Sequence, residues 1–446
     1  MRPHTRYARS GDAYIAYQVV GEGPVDVLLL PHFFQHLELW WEDRHRASFT
    51  RALAELARVI LFDKRGTGLS DRTCGVPPFD VQMDDLRAVL DAAGSERSVL
   101  WAGGDATPMI LLFAATFPQR AFGLVLWDPF PTYIRTADMP WLMTRAEFDD
   151  AVAGTAKSLE DPSATGLRDR MPTIGSDDDL RAFWRVSRLG TSPGDHLAFT
   201  RVLAETDVRH VLPTIRVPTL VLSNEALADR HATTRYVAER IPTARLAIVP
   251  GRDASMFVGD TQPLVDEVRA FLAEVRDMPP EGPDRVLATV LFTDIVGSTA
   301  RAAELGDAAW RELLRAHHSR VRRELARFRG RELDTAGDGF FATFDGPARG
   351  IRCACAVRDS VRELGLEVRA GLHAGECELL DEKVTGIAVN IGARVASLAQ
   401  PGEVLVSSTV KDLVAGSGLS FSDRGEAELK GAPGSWRLFA VEPGEL

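Results

Sequence analysis

Short apolar runs alternate with longer amphipathic segments between residues 13 and 275, and this alternation strongly limits what the chain can fold into. The apolar runs are VDVLLLP, RVILFD, SVLWAGG, GLVLWD, TLVLSN and RLAIVP. Segments such as FTRALAELA and MDDLRAVLDAAG, which lie between them, have the spacing of helices. Strands that alternate with helices in this way predict an α/β fold with a doubly wound, largely parallel sheet.

Two segments divide the chain further. From about residue 135 to 210 the sequence is charged, helix-prone and rich in turn residues, which predicts a helical cap over the carboxyl edge of the sheet. The stretch DMPPEGPDR has three prolines in nine residues and cannot continue the helix before it. We therefore predict a first domain at 1–276, a linker at 277–285 and a second domain at 286–446.

The composition limits the classes of function. A net charge of −11 argues against a nucleic-acid binder, since phosphate neutralisation needs a basic face. The four cysteines form no disulfide framework, and Cys353 and Cys355 lie in an apolar helical run expected to be core. The N-terminus lacks the apolar segment of a signal peptide, and no stretch approaches the roughly 20 apolar residues that span a bilayer. We expect a cytoplasmic protein that binds neither membranes nor nucleic acid.

The second domain has a different order of elements. A strand (VLATVLFTD) is followed by a long helix at about 307–328, two strands around GDG, and a helix at PARGIRCACAVRDSVRELG. A strand (EVRAGLHAG), a hairpin, a helix (NIGARVASLA) and a strand (EVLVSS) follow. This order predicts an α+β domain with a ferredoxin-like core and additions.

Two aspartates in this domain have the surroundings of a metal site. Asp294 lies at a strand end in F-T-D-I-V-G-S-T, and Asp338 lies 44 residues later at a glycine-flanked hairpin tip, G-D-G-F. Carboxylates at adjacent strand ends suit Mg²⁺, which prefers carboxylate oxygens together with substrate phosphates. Backbone N–H groups of the turn and helix start at Gly297, Ser298 and Thr299 would face those phosphates. The alternative is that each aspartate only stabilises a turn.

These motifs, with V-R-A-G-L-H-A-G and V-N-I-G-A-R downstream, resemble the class III adenylyl and guanylyl cyclases over about residues 286–441. The resemblance implies two Mg²⁺ or Mn²⁺ ions per active site. It implies that Asp294 and Asp338 bind them, with the Ile295 carbonyl as a further ligand. The reaction it implies converts a nucleoside triphosphate to a 3′,5′-cyclic nucleotide and pyrophosphate.

The resemblance also assigns the residues that bind substrate. Asn390 and Arg394 lie four apart on one helix face, and they would orient the ribose and stabilise the α-phosphate. The alternative is an N-cap asparagine followed by a surface arginine. Arg369 and Lys430 match cations that bind the triphosphate. Since the family takes metal and substrate residues from different subunits, the resemblance implies a head-to-tail homodimer.

The positions that read the base depart from the adenylyl cyclase pattern. Asp334 stands where a lysine is usual, and Lys383 stands where an aspartate or threonine is usual. The exchanged charges would suit guanine, would also meet adenine after a shift of the base, or would form a salt bridge with each other. Family frequency favours ATP, with GTP as the competing substrate.

The first domain carries a turn, D-K-R-G-T-G-L-S at 63–70, that resembles the α/β-hydrolases. The nucleophile of that family stands in a G-x-S-x-G elbow, and the corresponding position here is Gly104. The position expected for the catalytic histidine holds Ala254, and the acid position is Asp229 or Glu225. Without a nucleophile and a base, acyl transfer has no route. We predict a pseudo-hydrolase.

Two other polar residues near the elbow do not change this prediction. Asp105 resembles a displaced carboxylate nucleophile but lies one residue past the elbow apex, and His32 after the first core strand is interpreted as structural. The pocket under the cap could still bind a small apolar ligand.

The whole chain resembles bacterial fusions of an α/β-hydrolase domain to a class III cyclase domain. This resemblance predicts an adenylate cyclase with a regulatory pseudo-hydrolase domain. A non-catalytic nucleotide or ligand sensor is the alternative, and an esterase is disfavoured.

Overall fold

The computed structural model describes residues 2–30, 32, 35–73, 75–158, 166–276, 285–380 and 383–443. The chain divides into two compact units, one built from residues 1–77 and 81–283 and one centred on residues 284–446. Within the linker predicted at 277–285, residues 277–284 lie outside the described residues, and Arg285 begins a strand. In the part of the chain just defined, no helix combines the length and apolar character needed to cross a membrane.

The described residues of the first unit form an eight-stranded sheet. Its strands are β1 (Arg6–Ser10), β2 (Ala13–Val20), β3 (Asp26–Leu30), β4 (Arg58–Phe62), β5 (Ser98–Gly103), β6 (Ala121–Trp127), β7 (Thr219–Asn224) and β8 (Ala244–Val249). The order across the sheet is β1-β2-β4-β3-β5-β6-β7-β8, antiparallel in β1/β2 and β2/β4 and parallel from β4 to β8. The six apolar runs are β3 to β8, which confirms the predicted α/β sheet.

Helices cover this sheet and fill the insertion between β6 and β7. They are α1 (Leu37–Trp40), α2 (Arg44–Ala54), α3 (Phe79–Ala92), α4 (Thr107–Thr116), α5 (Arg145–Ser158), α6 (Leu167–Arg170), α7 (Asp177–Gly190), α8 (Pro193–Glu205), α9 (His231–Arg240) and α10 (Gln262–Arg276). Of these, α5 to α8 make the segment between β6 and β7 helical. A capping box between Ser176 and Asp179 begins α7, and the Ser192 side chain caps α8.

The core of the first unit lies around its central strands. All residues of β5 and β7 are buried, as expected for parallel strands that are covered on both faces. Phe49 packs edge-on against Trp101 and Phe257, with ring centroids 5.5 and 5.3 Å apart. The pair β1/β2 at the sheet edge is absent from the sequence prediction, because RYARS in β1 carries no apolar run.

The second unit has its own sheet. Its strands are β9 (Arg285–Ile295), β10 (Arg331–Ala336), β11 (Gly339–Phe344), β12 (Val368–Leu380), β13 (Lys383–Thr385), β14 (Val404–Ser407), β15 (Phe421–Glu428) and β16 (Ser435–Val441). The order is β10-β11-β9-β12-β14-β16-β15, with β13 paired to β12. The first four strands are antiparallel to their neighbours, in the order second-third-first-fourth by sequence. This confirms the ferredoxin-like core.

The helices of this unit lie on both faces of the sheet. They are α11 (Ser298–Leu305), α12 (Asp307–Arg327), α13 (Pro347–Arg362), α14 (Ile387–Leu398) and α15 (Ser408–Leu413). Gly350 of α13 lies against Thr289, whereas Gly392 of α14 lies against Val290. Because successive residues of a strand point to opposite faces, α13 and α14 cover opposite faces of β9.

Candidate active site

The end of β9 carries the first candidate metal ligand. Asp294 is the penultimate residue of the strand, and its side chain is 39% exposed. Gly297 follows with a φ of +66° and forms the N-cap of α11. A left-handed residue at this point suits glycine, because a side chain there would be strained. The turn therefore leaves the Asp294 carboxylate accessible at the strand end, just before the start of a helix.

The hairpin between β10 and β11 brings the second aspartate to the same place. Gly337 has a φ of +65°, and Asp338 follows it at the tip. The Ile295 backbone N–H donates to Asp338 Oδ2 over 3.2 Å. Strand register places Thr293 opposite Phe340, so both carboxylates lie at one edge of the pair β9/β11. The structure thus brings Asp294, Ile295 and Asp338 together.

Arg369 lies beside this pair of aspartates. It is directly opposite Asp294 in the register of β9 and β12. Its Nη2 and Nε donate to Asp294 Oδ2 over 2.7 and 3.2 Å. The predicted triphosphate-binding arginine is therefore next to the predicted metal-binding aspartate, where its charge faces the same space.

Two histidines of α12 form hydrogen bonds to the tip of the β10/β11 hairpin. His318 Nε2 donates to the Gly337 carbonyl over 2.9 Å, and His317 Nε2 to the Asp338 carbonyl over 3.3 Å. Both roles require the Nε2–H tautomer, because a carbonyl oxygen only accepts. His317 is fully buried, and burial lowers its pKa to about 4, so its ring is neutral at physiological pH. Sequence reasoning missed both residues, although the His-His pair in α12 was visible.

The residues predicted to orient the substrate lie on α14. Gly386 is the N-cap of this helix, so Asn390 is inside the helix and the N-cap alternative is wrong. Asn390 and Arg394 are both exposed. Neither side chain makes a hydrogen bond or ion pair with any described residue. The structure therefore does not join these two residues to Asp294 and Asp338 within the chain.

The other residues predicted to bind substrate are also exposed, and they lie on or beside different strands of the sheet. Asp334 in β10 accepts a hydrogen bond from the Thr335 backbone N–H over 2.8 Å. Lys383 begins β13, and Lys430 follows β15. Across the described residues, Asp334 and Lys383 form no ion pair with each other, so the salt-bridge alternative does not occur within the chain.

The donor set fits a divalent cation that is also bound by phosphate. Asp294 and Asp338 offer carboxylate oxygens, and Mg²⁺ is commonly held by one or two carboxylates plus substrate phosphates. Groups of three or more His, Cys, Asp or Glu side chains suited to a metal are absent from the described residues. Asp294 and Asp338 could therefore hold a divalent cation only together with further ligands such as substrate phosphates.

The first unit has a nucleophile elbow without a nucleophile. Gly104 follows β5 with a φ of +47° and begins a 3₁₀ turn that leads into α4. This sharp strand-to-helix turn is the backbone that presents the nucleophile in α/β-hydrolases. A Cβ built at Gly104 would lie 3.9 Å from His32 Nδ1, and that nitrogen lies 3.7 Å from Asp105 Oδ1. The position thus faces polar groups but carries no side chain.

The other two triad positions lie in the loop after β8 and in the 3₁₀ helix after β7. Ala254 is bound through its backbone N–H to the Arg170 carbonyl over 2.8 Å. Glu225 and Asp229 lie in a 3₁₀ helix after β7. The next residue, Arg230, pairs with the buried Asp128 at 2.6 Å. Ala254 is unable to act as a base, because alanine has no titratable side chain.

The glycine turn after β4 is structural. The Asp63 carboxylate is fully buried and accepts from the backbone N–H groups of Leu37 and Leu69 over 3.2 and 2.8 Å. A Cβ at Gly68 would come within 2.1 Å of that carboxylate, so only glycine fits there. Burial raises the pKa of Asp63 to about 7.

Fold and sites define a class for each unit. The first unit has the strand order and elbow of an α/β-hydrolase, and the second has a ferredoxin-like core with two aspartates at one edge. A family model described as "alpha/beta hydrolase fold" matches residues 26–260, and the chain belongs to that family. The model described as "Adenylate and Guanylate cyclase catalytic domain" matches residues 283–443. These matches confirm a class III cyclase domain joined to an α/β-hydrolase-like domain.

Individual relatives resemble one unit or the other. Over 163 residues the chain is 30% identical to "Putative adenylate cyclase 3" of Rhizobium meliloti, covering 34% of this chain and 28% of that protein. Over 249 residues it is 26% identical to the pimeloyl-(acyl-carrier protein) methyl ester esterase of Nitrosomonas europaea, covering 53% and 91%. An esterase structure from Exiguobacterium antarcticum superposes with a TM-score of 0.52 at 20% identity, covering 61% of this chain and 100% of the esterase, which shows a shared fold.

Proposed function

We propose that the second unit is a nucleotide cyclase that converts ATP to 3′,5′-cyclic AMP and pyrophosphate. The observation that carries this proposal is the joining of Asp294 and Asp338 at one sheet edge through the Ile295 N–H, with Arg369 beside them. The chain's match to the cyclase catalytic domain supports the same reaction.

The chain's own residues supply binding and positioning. Asp294 and Asp338 would hold two Mg²⁺ or Mn²⁺ ions, with the Ile295 carbonyl as a further ligand. When bound, these ions supply charge neutralisation for the triphosphate. Arg369 and Lys430, with the turn at 297–299, bind the phosphates.

Asn390 and Arg394 orient the substrate for the chemical step. The 3′-hydroxyl gives its proton to solvent water and attacks the α-phosphorus, the bond from that phosphorus to the oxygen bridging the β-phosphate breaks, and pyrophosphate leaves. Asn390 orients the ribose, and Arg394 stabilises the charge that develops on the α-phosphate. Positioning and charge stabilisation account for most of the acceleration in reactions of this type.

A homodimer is part of this proposal. Ile387 and Leu398 lie on the same stripe of α14 as Asn390 and Arg394, and they are 50% and 44% exposed. Large exposed apolar side chains on one stripe favour a covered surface. If a second copy of the chain covers this stripe, its two metal aspartates would lie close to Asn390 and Arg394 of the first copy.

Mixing two inactive variants tests the dimer. Asp294→Ala and Arg394→Ala break opposite halves of each proposed site, so a heterodimer of the two has one intact site. An equimolar mixture should recover about one quarter of wild-type activity, because half of the dimers are mixed and each has one of two sites. A mixture as inactive as its components, with subunit exchange shown by mass spectrometry, would contradict the shared site.

GTP is the competing substrate. Asp334 and Lys383 are exposed and unpaired with each other, so both remain available to a base. A carboxylate there would accept from guanine N1–H and N2–H2, and Lys383 would donate to O6. Cyclic AMP and cyclic GMP should therefore be measured side by side with Mn²⁺ and ATP or GTP. Exclusive formation of cyclic GMP would reverse the substrate assignment while keeping the cyclase.

We assign the first unit a regulatory rather than a hydrolytic role. Gly104 and Ala254 carry neither nucleophile nor base, whereas strand β5 and the turn that follows it are formed. A chain that is dimeric yet forms no cyclic nucleotide from ATP or GTP would favour the alternative, a non-catalytic nucleotide or ligand sensor.

A further inference from the structure

Arg369 and Asp294 have separate roles in the proposed function, yet the structure pairs them with each other. Asp294 is assigned to a metal ion and Arg369 to the triphosphate. The two residues lie directly opposite each other in the register of β9 and β12, so their side chains project from the same face of the sheet. Because of this contact, neither side chain is fully available for the ligand assigned to it.

Both donors of Arg369 in this contact reach the same oxygen. Its Nη2 and Nε donate to Asp294 Oδ2 over 2.7 and 3.2 Å. A carboxylate oxygen has about two lone-pair positions, so the two N–H groups occupy those of Oδ2. A metal ion bound through Oδ2 has to displace the guanidinium, and an ion bound through Oδ1 alone would lie close to its positive charge. Arg369 therefore competes with a cation for Asp294.

The second carboxylate of the metal site has no such competitor in the described part of the chain. Asp338 Oδ2 accepts the Ile295 backbone N–H over 3.2 Å, and no arginine or lysine of the described residues forms an ion pair with Asp338. A backbone N–H is uncharged, whereas a guanidinium carries a full positive charge. The competition with a cation therefore concerns Asp294 and not Asp338.

The pair is exposed, which makes an exchange of partners easy. The side chains of Arg369 and Asp294 are 36% and 39% exposed. Ion pairs of this exposure contribute little to stability, because water screens the charges and the two side chains lose freedom. A triphosphate offers Arg369 several charged oxygens, to which a planar guanidinium can donate in pairs. Arg369 can therefore leave Asp294 for a triphosphate at little cost to the fold.

We propose that Arg369 exchanges partners: it pairs with Asp294 until a triphosphate binds it, and Asp294 is then free to hold the metal ion. This inference rests on the proposed function and makes Arg369 a positioning residue for the metal-binding carboxylate as well as a phosphate ligand. The pair is broken only once, so whichever ligand binds second does not bear that cost. Binding of the triphosphate and binding of the cation therefore favour each other.

Binding of free Mn²⁺ to the full chain, followed by electron paramagnetic resonance without nucleotide, tests the exchange. Arg369→Gln removes the positive charge. Arg369→Lys keeps the charge but replaces the planar fork by a strongly hydrated ammonium, which leaves a carboxylate more readily. Arg285→Gln is the matched control, because Arg285 forms an ion pair with Glu378 across the same two strands at their other end.

Arg369→Gln should tighten Mn²⁺ binding about three- to tenfold, since the variant loses both an exposed ion pair and the repulsion between two cations. Arg369→Lys should tighten it by a smaller factor, and Arg285→Gln should match the wild type. Unchanged or weaker binding in Arg369→Gln would overturn the proposal. So would wild-type affinity in Arg369→Lys, because only charge repulsion, and not the contact, would then matter.

The nucleotide side of the exchange is tested with 3′-deoxy-ATP, which lacks the attacking hydroxyl and is not cyclised. With EDTA present, Asp294→Asn should bind it more tightly than the wild type, since Arg369 then has no carboxylate to leave. The same change made in Arg369→Gln should give a smaller gain. An equal gain in both backgrounds would overturn the exchange. Both assays measure binding alone, so these shifts in a chain without cyclase activity would disprove the proposed reaction and retain the exchange.

Discussion

Two turns of this chain start alike in sequence and end in opposite environments. Asp63 follows β4 and Asp294 is the penultimate residue of β9, and each lies before a glycine in the left-handed region. The Asp63 carboxylate is fully buried and receives two backbone N–H groups, whereas the Asp294 side chain is 39% exposed. An aspartate beside a glycine turn therefore serves the fold when it is buried and backbone donors hold it, and it is available for chemistry when it is partly exposed and its partner is a side chain such as Arg369.

The same contrast holds between the two units. The first has the backbone of a catalytic elbow without its side chains, because Gly104 and Ala254 stand at the reactive positions. The second has its polar side chains in place at a sheet edge, around Asp294 and Asp338. Backbone geometry alone is thus insufficient evidence of activity, and side chains decide which unit is expected to catalyse a reaction.

The largest expected effect comes from Asp294→Ala. Removing one of the two carboxylates should lower cyclic-nucleotide formation at least about a thousandfold, since metal charge stabilisation amounts to several kcal/mol. Asp307→Asn, at an exposed aspartate at the start of α12, is the control and should retain activity. Product yields by chromatography give the comparison. Activity within tenfold of wild type would show that Asp294 resembles Asp63 and is structural.

The second effect concerns Asp63 and pH. Its pKa rises from the ordinary value of 3.8 to about 7 because the carboxylate is buried, so the folded state holds a proton that the unfolded state releases. Its contribution to stability is therefore full below pH 4 and declines as pH rises to about 7. The decline amounts to roughly 2–4 kcal/mol.

The change Asp63→Asn removes this pH dependence. Urea unfolding at pH 5, 6, 7 and 8, followed by tryptophan fluorescence, should show the variant gaining stability relative to wild type as pH rises to 7. Asp12→Asn, at a fully exposed side chain, should show no such difference. Parallel pH curves for wild type and Asp63→Asn would mean that Asp63 is ionised in the folded state.

A smaller effect is expected where α12 contacts the β10/β11 hairpin, which carries Asp338. His318→Ala removes the donor to the Gly337 carbonyl, and one such hydrogen bond contributes about 0.5–1.5 kcal/mol. The Mn²⁺ concentration for half-maximal activity should rise about two- to tenfold, because Asp338 is less firmly placed. His318→Gln retains an N–H donor and should recover part of the loss, and Ser319→Ala is the neighbouring control. Unchanged metal dependence would make His318 irrelevant to the site.

The last prediction is that the first unit has no ester-hydrolysing activity, so that a mutation at its elbow has no effect on this reaction. Hydrolysis of p-nitrophenyl acetate by the full chain should match buffer, and Asp105→Ala should not alter it, because the elbow offers no nucleophile. Saturable hydrolysis that disappears in Asp105→Ala would remove the contrast between the units, since it would make the first one an enzyme as well.

Most of the fold could be predicted from the sequence, because apolar runs and their spacing directly report buried strands. Motif spacing also located Asp294 and Asp338, since each lies in a local turn with its own glycine. The contacts of His317 and His318 could not be predicted, because they depend on how α12 packs behind the hairpin about 20 residues later in the sequence. The start of α14 at Ile387, with Gly386 as its N-cap, was not predicted either, and it decides that Asn390 is not an N-cap.

Gly104 also bears on the energetics of the elbow. An elbow that carries a serine holds that residue in a strained backbone conformation, whereas glycine adopts a φ of +47° without a steric penalty. Exchange of a nucleophile for glycine thus relaxes the fold, and the reverse mutation would restore strain of order 1–2 kcal/mol before any base existed to use the hydroxyl. Glycine at position 104 therefore favours the stability of the turn, whereas serine there would cost stability without gaining a catalytic base.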